Sequence, residues 1–132
     1  MRTAPSSGMA GAGRAMMDPV KPLRWALVGV GTIFVAASLL PVVWPSGWRW
    51  EPHHLYYEEM IFGLYATLGV FLFLAARDPL RHALLIWFTV WSSVVHGGIM
   101  AVQALSGPEH HGHLVGDVPA LLLVAAVLGW LL

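Results

Sequence analysis

Seven histidines and seven carboxylates are the side chains of this 132-residue sequence best suited to exchanging protons or holding a cation, and they are unevenly placed. His53 and His54 stand with Glu51, Glu58 and Glu59, while His110, His111 and His113 stand with Glu109 and Asp117. His96 lies by itself in a long apolar run. His54 and Glu58 are four residues apart, as are His113 and Asp117, a spacing that puts both members of a pair on one helix face. A mixed imidazole and carboxylate set suits Zn, Cu, Fe or Mn, and Met100, one turn beyond His96, adds a thioether that favours copper or haem iron. The candidate metal ligands are therefore His54, Glu58, Glu59, His96, His113 and Asp117, with His96 and Met100 as the pair that would hold a haem. The same acids and imidazoles, set in an apolar medium, can instead pass protons.

Each of these groups also has a structural role open to it. Asp117 suits an N-cap for a helix continuing through Pro119, His53, His110 and His111 suit solvated loops, and His96 suits packing between helices. The fixed motifs are absent: the sequence has no cysteine, no His-Glu-x-x-His and no Glu-x-x-His pair of the di-iron kind. No serine or threonine is paired with an orienting base, so hydrolytic catalysis is disfavoured and the sequence leans away from an enzyme.

The elements that must position these residues are strongly apolar. Hydrophobic residues make up 58% of the chain and charged residues 11%, against roughly 25% charged in soluble domains, which leaves too little charge to coat a water-facing surface. The formal net charge of zero gives no reason to expect nucleic acid as a partner. Four apolar runs, at about 23–43, 52–76, 81–105 and 114–132, follow a small-residue, polar stretch at 1–20 that reads as a disordered tail, with Met17 as an alternative start. Trp44, Trp48 and Trp50 crowd the far end of the first run as an interfacial belt does. Pro52 suits the first turn of the second.

The expectation is an all-α fold for 21–132: an antiparallel bundle of four transmembrane helices joined by short loops. Arg2, Arg14, Lys21 and Arg24 precede the first helix and Arg77 and Arg81 lie between the second and third, whereas Arg49 is alone on the other side. By the positive-inside rule both termini are then cytoplasmic. Six arginines to one lysine fit a GC-rich bacterial genome, and so a multi-pass protein of the bacterial inner membrane. Six of the seven histidines fall in the outer half of that topology. On the third helix Thr89, Ser92, His96, Met100 and Gln103 form one stripe about 80° wide, expected to face the bundle interior. Gly29, Gly31, Gly63, Gly69, Gly97 and Gly98 are expected to let backbones approach closely.

The function expected from these residues is that of an accessory or assembly component of a membrane complex with an outward-facing His and carboxylate pocket. Its partners would be the bilayer and either other subunits or further copies of itself. The alternatives are a metal- or haem-binding protein with a redox or metal-handling role, the cofactor being Cu, Zn, Fe or haem, and a small transporter or proton-path subunit.

The stretches Gly63–Phe71, Ala76–Pro79, Ile86–His96, Met100–Gln103 and Gly112–Leu121 resemble an uncharacterised bacterial family of small four-helix membrane proteins. The resemblance covers residues 50–132. It implies a membrane bundle and carries no activity.

Overall fold

The computed structural model describes residues 18–43, 55–105 and 112–132, and they are helical throughout, with no strand among them. In chain order the helices are α1 (Lys21–Val43), α2 (Leu55–Ala75), α3 (Ala83–Ala104), the short α4 (Gly112–Val115) and α5 (Asp117–Leu131), with a 3-10 turn at Leu80–His82 leading into α3. The expected tail up to residue 17, the Trp44, Trp48 and Trp50 belt, the start at Pro52 and both outer loops lie outside the described residues.

Local chemistry explains the boundaries. Asp18 opens α1 by accepting a hydrogen bond from the Val20 N–H on its Oδ1 at 3.1 Å, while its carbonyl accepts from the Lys21 N–H at 3.0 Å. Pro22 follows in the first turn, where a missing N–H leaves nothing unsatisfied. Between α2 and α3 the chain reverses through buried Pro79, and the His82 N–H donates to the Pro79 carbonyl at 3.1 Å.

The last apolar run, expected to be one helix over 114–132, is divided at Gly116, whose φ of −100° and ψ of −85° leave the helical region. Pro119 supplies the reason. It has no N–H to give to the Val115 carbonyl four residues back, and its ring crowds that carbonyl, so the chain turns before Asp117 and restarts. Asp117 accordingly occupies the first turn of α5 and Gly116 the N-cap position, with no side-chain cap hydrogen bond.

The helices pack as two pairs, α1 against α2 and α3 against α5, which meet through smaller contacts of α1 with α5 and of α2 with α3. The core residues on α1 are Leu23, Leu27, Val30 and Phe34, in steps of four, three and four. On α3, Ile86, Val90, Ser93 and Gly97 are buried in the same steps. A mean step of about 3.7 residues, close to the 3.6 of the helix itself, keeps one seam turned toward a neighbour along much of the helix. Gly31 and Gly69 bring α1 and α2 together backbone to backbone, and Gly97 rests on Leu121 of α5. Gly29, Gly63 and Gly98, expected to do the same, face open space.

Two helical stretches, Lys21–Leu39 and Leu80–Ala104, are long and apolar enough to cross a membrane, and Glu59–Ala75 and Asp117–Leu131 are shorter apolar segments.

Candidate functional site

The polar stripe of α3 does not coincide with its buried seam. Counting 100° per residue, Thr89, Ser92, His96, Met100 and Gln103 centre roughly 90° around the helix from Ile86, Val90, Ser93 and Gly97. Only Thr89 is fully covered; Ser92, His96 and Met100 are half-buried and Gln103 is exposed. Ser93, one residue off the expected stripe, is buried at 1% exposure.

The hydroxyls are satisfied within their own helices. Thr89 Oγ1 donates to the Leu85 carbonyl at 2.9 Å and Ser92 Oγ to the Thr89 carbonyl at 3.1 Å. Thr32 on α1 and Thr67 on α2 do likewise, to Val28 and Gly63 at 2.8 and 2.9 Å. These side chains therefore remove their own polarity from an apolar surface and leave helix pairing to apolar side chains and glycines.

What the stripe offers its neighbours is the His96 ring. It meets Tyr65 of α2 edge to face, with centroids 5.6 Å apart and planes at 82°. Tyr65 in turn meets Phe34 of α1, at 4.9 Å and 76°. The row Phe34, Tyr65 and His96 thus runs across three helices, where the two helix pairs meet. From the fourth long helix the Asp117 carboxylate acts electrostatically on the His96 imidazole. Each long helix contributes one member. The break at Gly116 matters here, because it sets where Asp117 begins α5.

Of the residues expected to form the pocket, Asp117 lies within electrostatic range of His96. Glu59 is exposed on α2, and Met100 sits half-buried a turn beyond His96. Glu58 falls within α2 and His113 within α4, but their side chains, and the whole of His54, lie outside the described residues. Among the described residues no three His, Asp or Glu side chains gather closely enough to hold a metal ion. His96 and Met100 project from one turn of one helix, so both reach the same side of a bound ring and not its two opposite axial positions. Tyr65 was not legible as a site residue: it stands at the midpoint of α2, with no residue of related chemistry at helical spacing among its apolar neighbours. A phenol at the centre of so apolar a helix was the available signal.

A family model matches nearly the whole described chain. The chain belongs to a family of unknown function, DUF6632, matched over residues 17–132. The match takes in α1 and its Asp18 entry as well as residues 50–132, where the resemblance to an uncharacterised family was read, and it states neither bacterial origin nor a membrane setting. Comparisons with curated proteins and with solved structures find no match.

Proposed function

We propose that this member of the family is a multi-pass protein of the bacterial inner membrane, with four spanning helices and cytoplasmic termini, that serves as a non-catalytic accessory component of a larger membrane complex. One observation carries the reading: the outward faces of all four long helices are apolar and bulky. Trp25 is 67% exposed on α1, Leu64 69% on α2, Trp91 63% on α3 and Trp130 89% on α5. In water so extensive an apolar surface would drive aggregation. The core helix of a soluble domain is mostly covered, whereas 28% of each membrane-length window is buried. Lipid, or the helices of a partner, accounts for such faces at no cost.

The accessory role rests on the slight packing within a single copy. Two helix pairs joined by modest contacts leave long apolar faces for neighbouring subunits, where van der Waals packing holds helices together. Purification of the tagged protein from its native membrane in a mild detergent tests this. Recovery of defined partner subunits in fixed ratio is the expected outcome; a lone monomer under gentle conditions refutes the role.

A second reading, proton handling, is favoured by the link of Tyr65, His96 and Asp117, three proton-active groups drawn from three helices. His96→Ala and Asp117→Asn would each abolish a pH-driven flux in proteoliposomes. Flux that survives both substitutions excludes it.

A further inference from the structure

At the end of the molecule away from Asp117, a groove of about 380 Å³ is lined by Asp18, Lys21, Arg24, Trp25 and Val28 from the start of α1 and by Ala76 just after α2. Its wall is apolar and its rim is cationic. Arg24 approaches Asp18 at 3.9 Å, beyond hydrogen-bond length, and both side chains are 46% exposed, so the pair is loose and the guanidinium keeps its donors available. Arg77 and Arg81 are exposed in the adjoining turn. Among the described residues this end carries Lys21, Arg24, Arg77 and Arg81 against Asp18 and Asp78, whereas the opposite end carries Glu59 and Asp117 with no lysine or arginine.

We infer that this groove binds the headgroup of an anionic phospholipid of the cytoplasmic leaflet, the phosphate lying between Lys21 and Arg24 and the glycerol and first acyl carbons lying on Trp25, Val28 and Ala76. The inference rests on the membrane reading above. Three features favour a lipid over free phosphate. Most of the lining is apolar, which inorganic phosphate cannot use. Trp25 is 67% exposed and directly follows Arg24 at the start of α1, a position that suits a tryptophan among headgroups in the proposed topology. Basic recesses between helices on the cytoplasmic side are suited to acidic headgroups, which an ammonium and a guanidinium contact together.

The test uses the full chain in detergent, with bound lipid counted by native mass spectrometry after addition of phosphatidylglycerol or phosphatidylcholine in equal amounts. Preferential retention of phosphatidylglycerol is expected. Lys21→Gln with Arg24→Gln should weaken that preference about thirtyfold, the equivalent of ~1 kcal/mol for each cation. Arg77→Gln with Arg81→Gln, outside the groove, should weaken it far less, and Asp18→Asn should preserve or strengthen it. Equal retention of the two lipids overturns the inference, as does an equal loss from both double variants, which would mean diffuse charge. Competition by millimolar inorganic phosphate alone, as effective as competition by lipid, assigns the groove to free phosphate and also overturns it. Alkaline carbonate extraction of each variant from membranes keeps the two readings apart: protein released by carbonate defeats the membrane assignment, whereas protein retained without lipid preference defeats only the headgroup site.

Discussion

Gly31 and Gly69 stand so close that a Cβ on Gly31 would lie 2.9 Å from the Gly69 carbonyl oxygen, and one on Gly69 would lie 2.7 Å from that of Gly31. The obstacle on each side is backbone, which cannot swing away, so α1 and α2 would have to separate to admit a methyl group. Gly31→Ala and Gly69→Ala are each expected to destabilise the α1–α2 pair by about 1–3 kcal/mol, as overpacking does. Gly29→Ala, Gly63→Ala and Gly98→Ala meet nothing within 4 Å and should be neutral or slightly stabilising. Thermal unfolding of the detergent-solubilised variants separates the two groups. Equal midpoints for all five would show that the pair is not held at this crossing.

The ring contact between Tyr65 and His96 predicts a measurable coupling across α2 and α3. Tyr65→Phe keeps the ring and should be mild, whereas Tyr65→Leu removes the edge that meets the imidazole. In a double-mutant cycle with His96→Leu, the Tyr65→Leu arm should yield a coupling of about 0.5–1.5 kcal/mol in unfolding free energy. Additive effects would mean that the two rings are neighbours without interaction.

Much of this arrangement could be read from residue types alone, and the parts that could not have physical reasons. Apolar run length set the four long helices to within a few residues, because Gly, Pro and charged residues interrupt each run. The seam of α3 was harder: Thr89, Ser92 and His96 are polar, and an apolar medium suggested turning all of them inward. The hydroxyls of Thr89 and Ser92 bond their own helix, so α3 is free to bury Ile86, Val90 and Gly97, with Thr89 covered beside them and His96 turned to Tyr65 of α2. His96 and Asp117 stand out in the sequence because both are costly groups in a low-dielectric setting. Tyr65 does not, since its partners lie on α1 and α3 and only tertiary packing brings them to it. The glycines divide in the same way. Gly31 and Gly69 look like Gly29 and Gly63 in sequence, and which face meets a neighbour is decided by how the helices are rotated.

The break at Gly116 yields a third prediction. Pro119→Ala restores an N–H that can bond the Val115 carbonyl, and the residue preference at this position then favours joining α4 to α5. Hydrogen exchange of the Asp117 to Ala120 amides should slow and helix content should rise by about one turn. Straightening the chain also rotates Asp117 about the helix axis, so its electrostatic link to His96 should weaken. Exchange that stays unchanged would assign the break to Gly116 and the preceding loop and not to the proline.

The proposed topology makes the fourth prediction, and the absence of cysteine from the sequence makes it clean. A single thiol introduced by His82→Cys lies in the turn between α2 and α3, at the end rich in Arg and Lys. In the proposed topology one introduced by His110→Cys, between α3 and α4 in the sequence, is external, and the first is cytoplasmic. In intact cells a membrane-impermeant maleimide should label the His110→Cys protein and spare the His82→Cys protein, with both labelled after permeabilisation. The reverse pattern would overturn the topology, through an inverted orientation or through failure of Leu55–Ala75 to cross. Labelling of both in intact cells would mean that Ala83–Ala104, the long helix between the two positions, does not cross, and the four-crossing topology would fail.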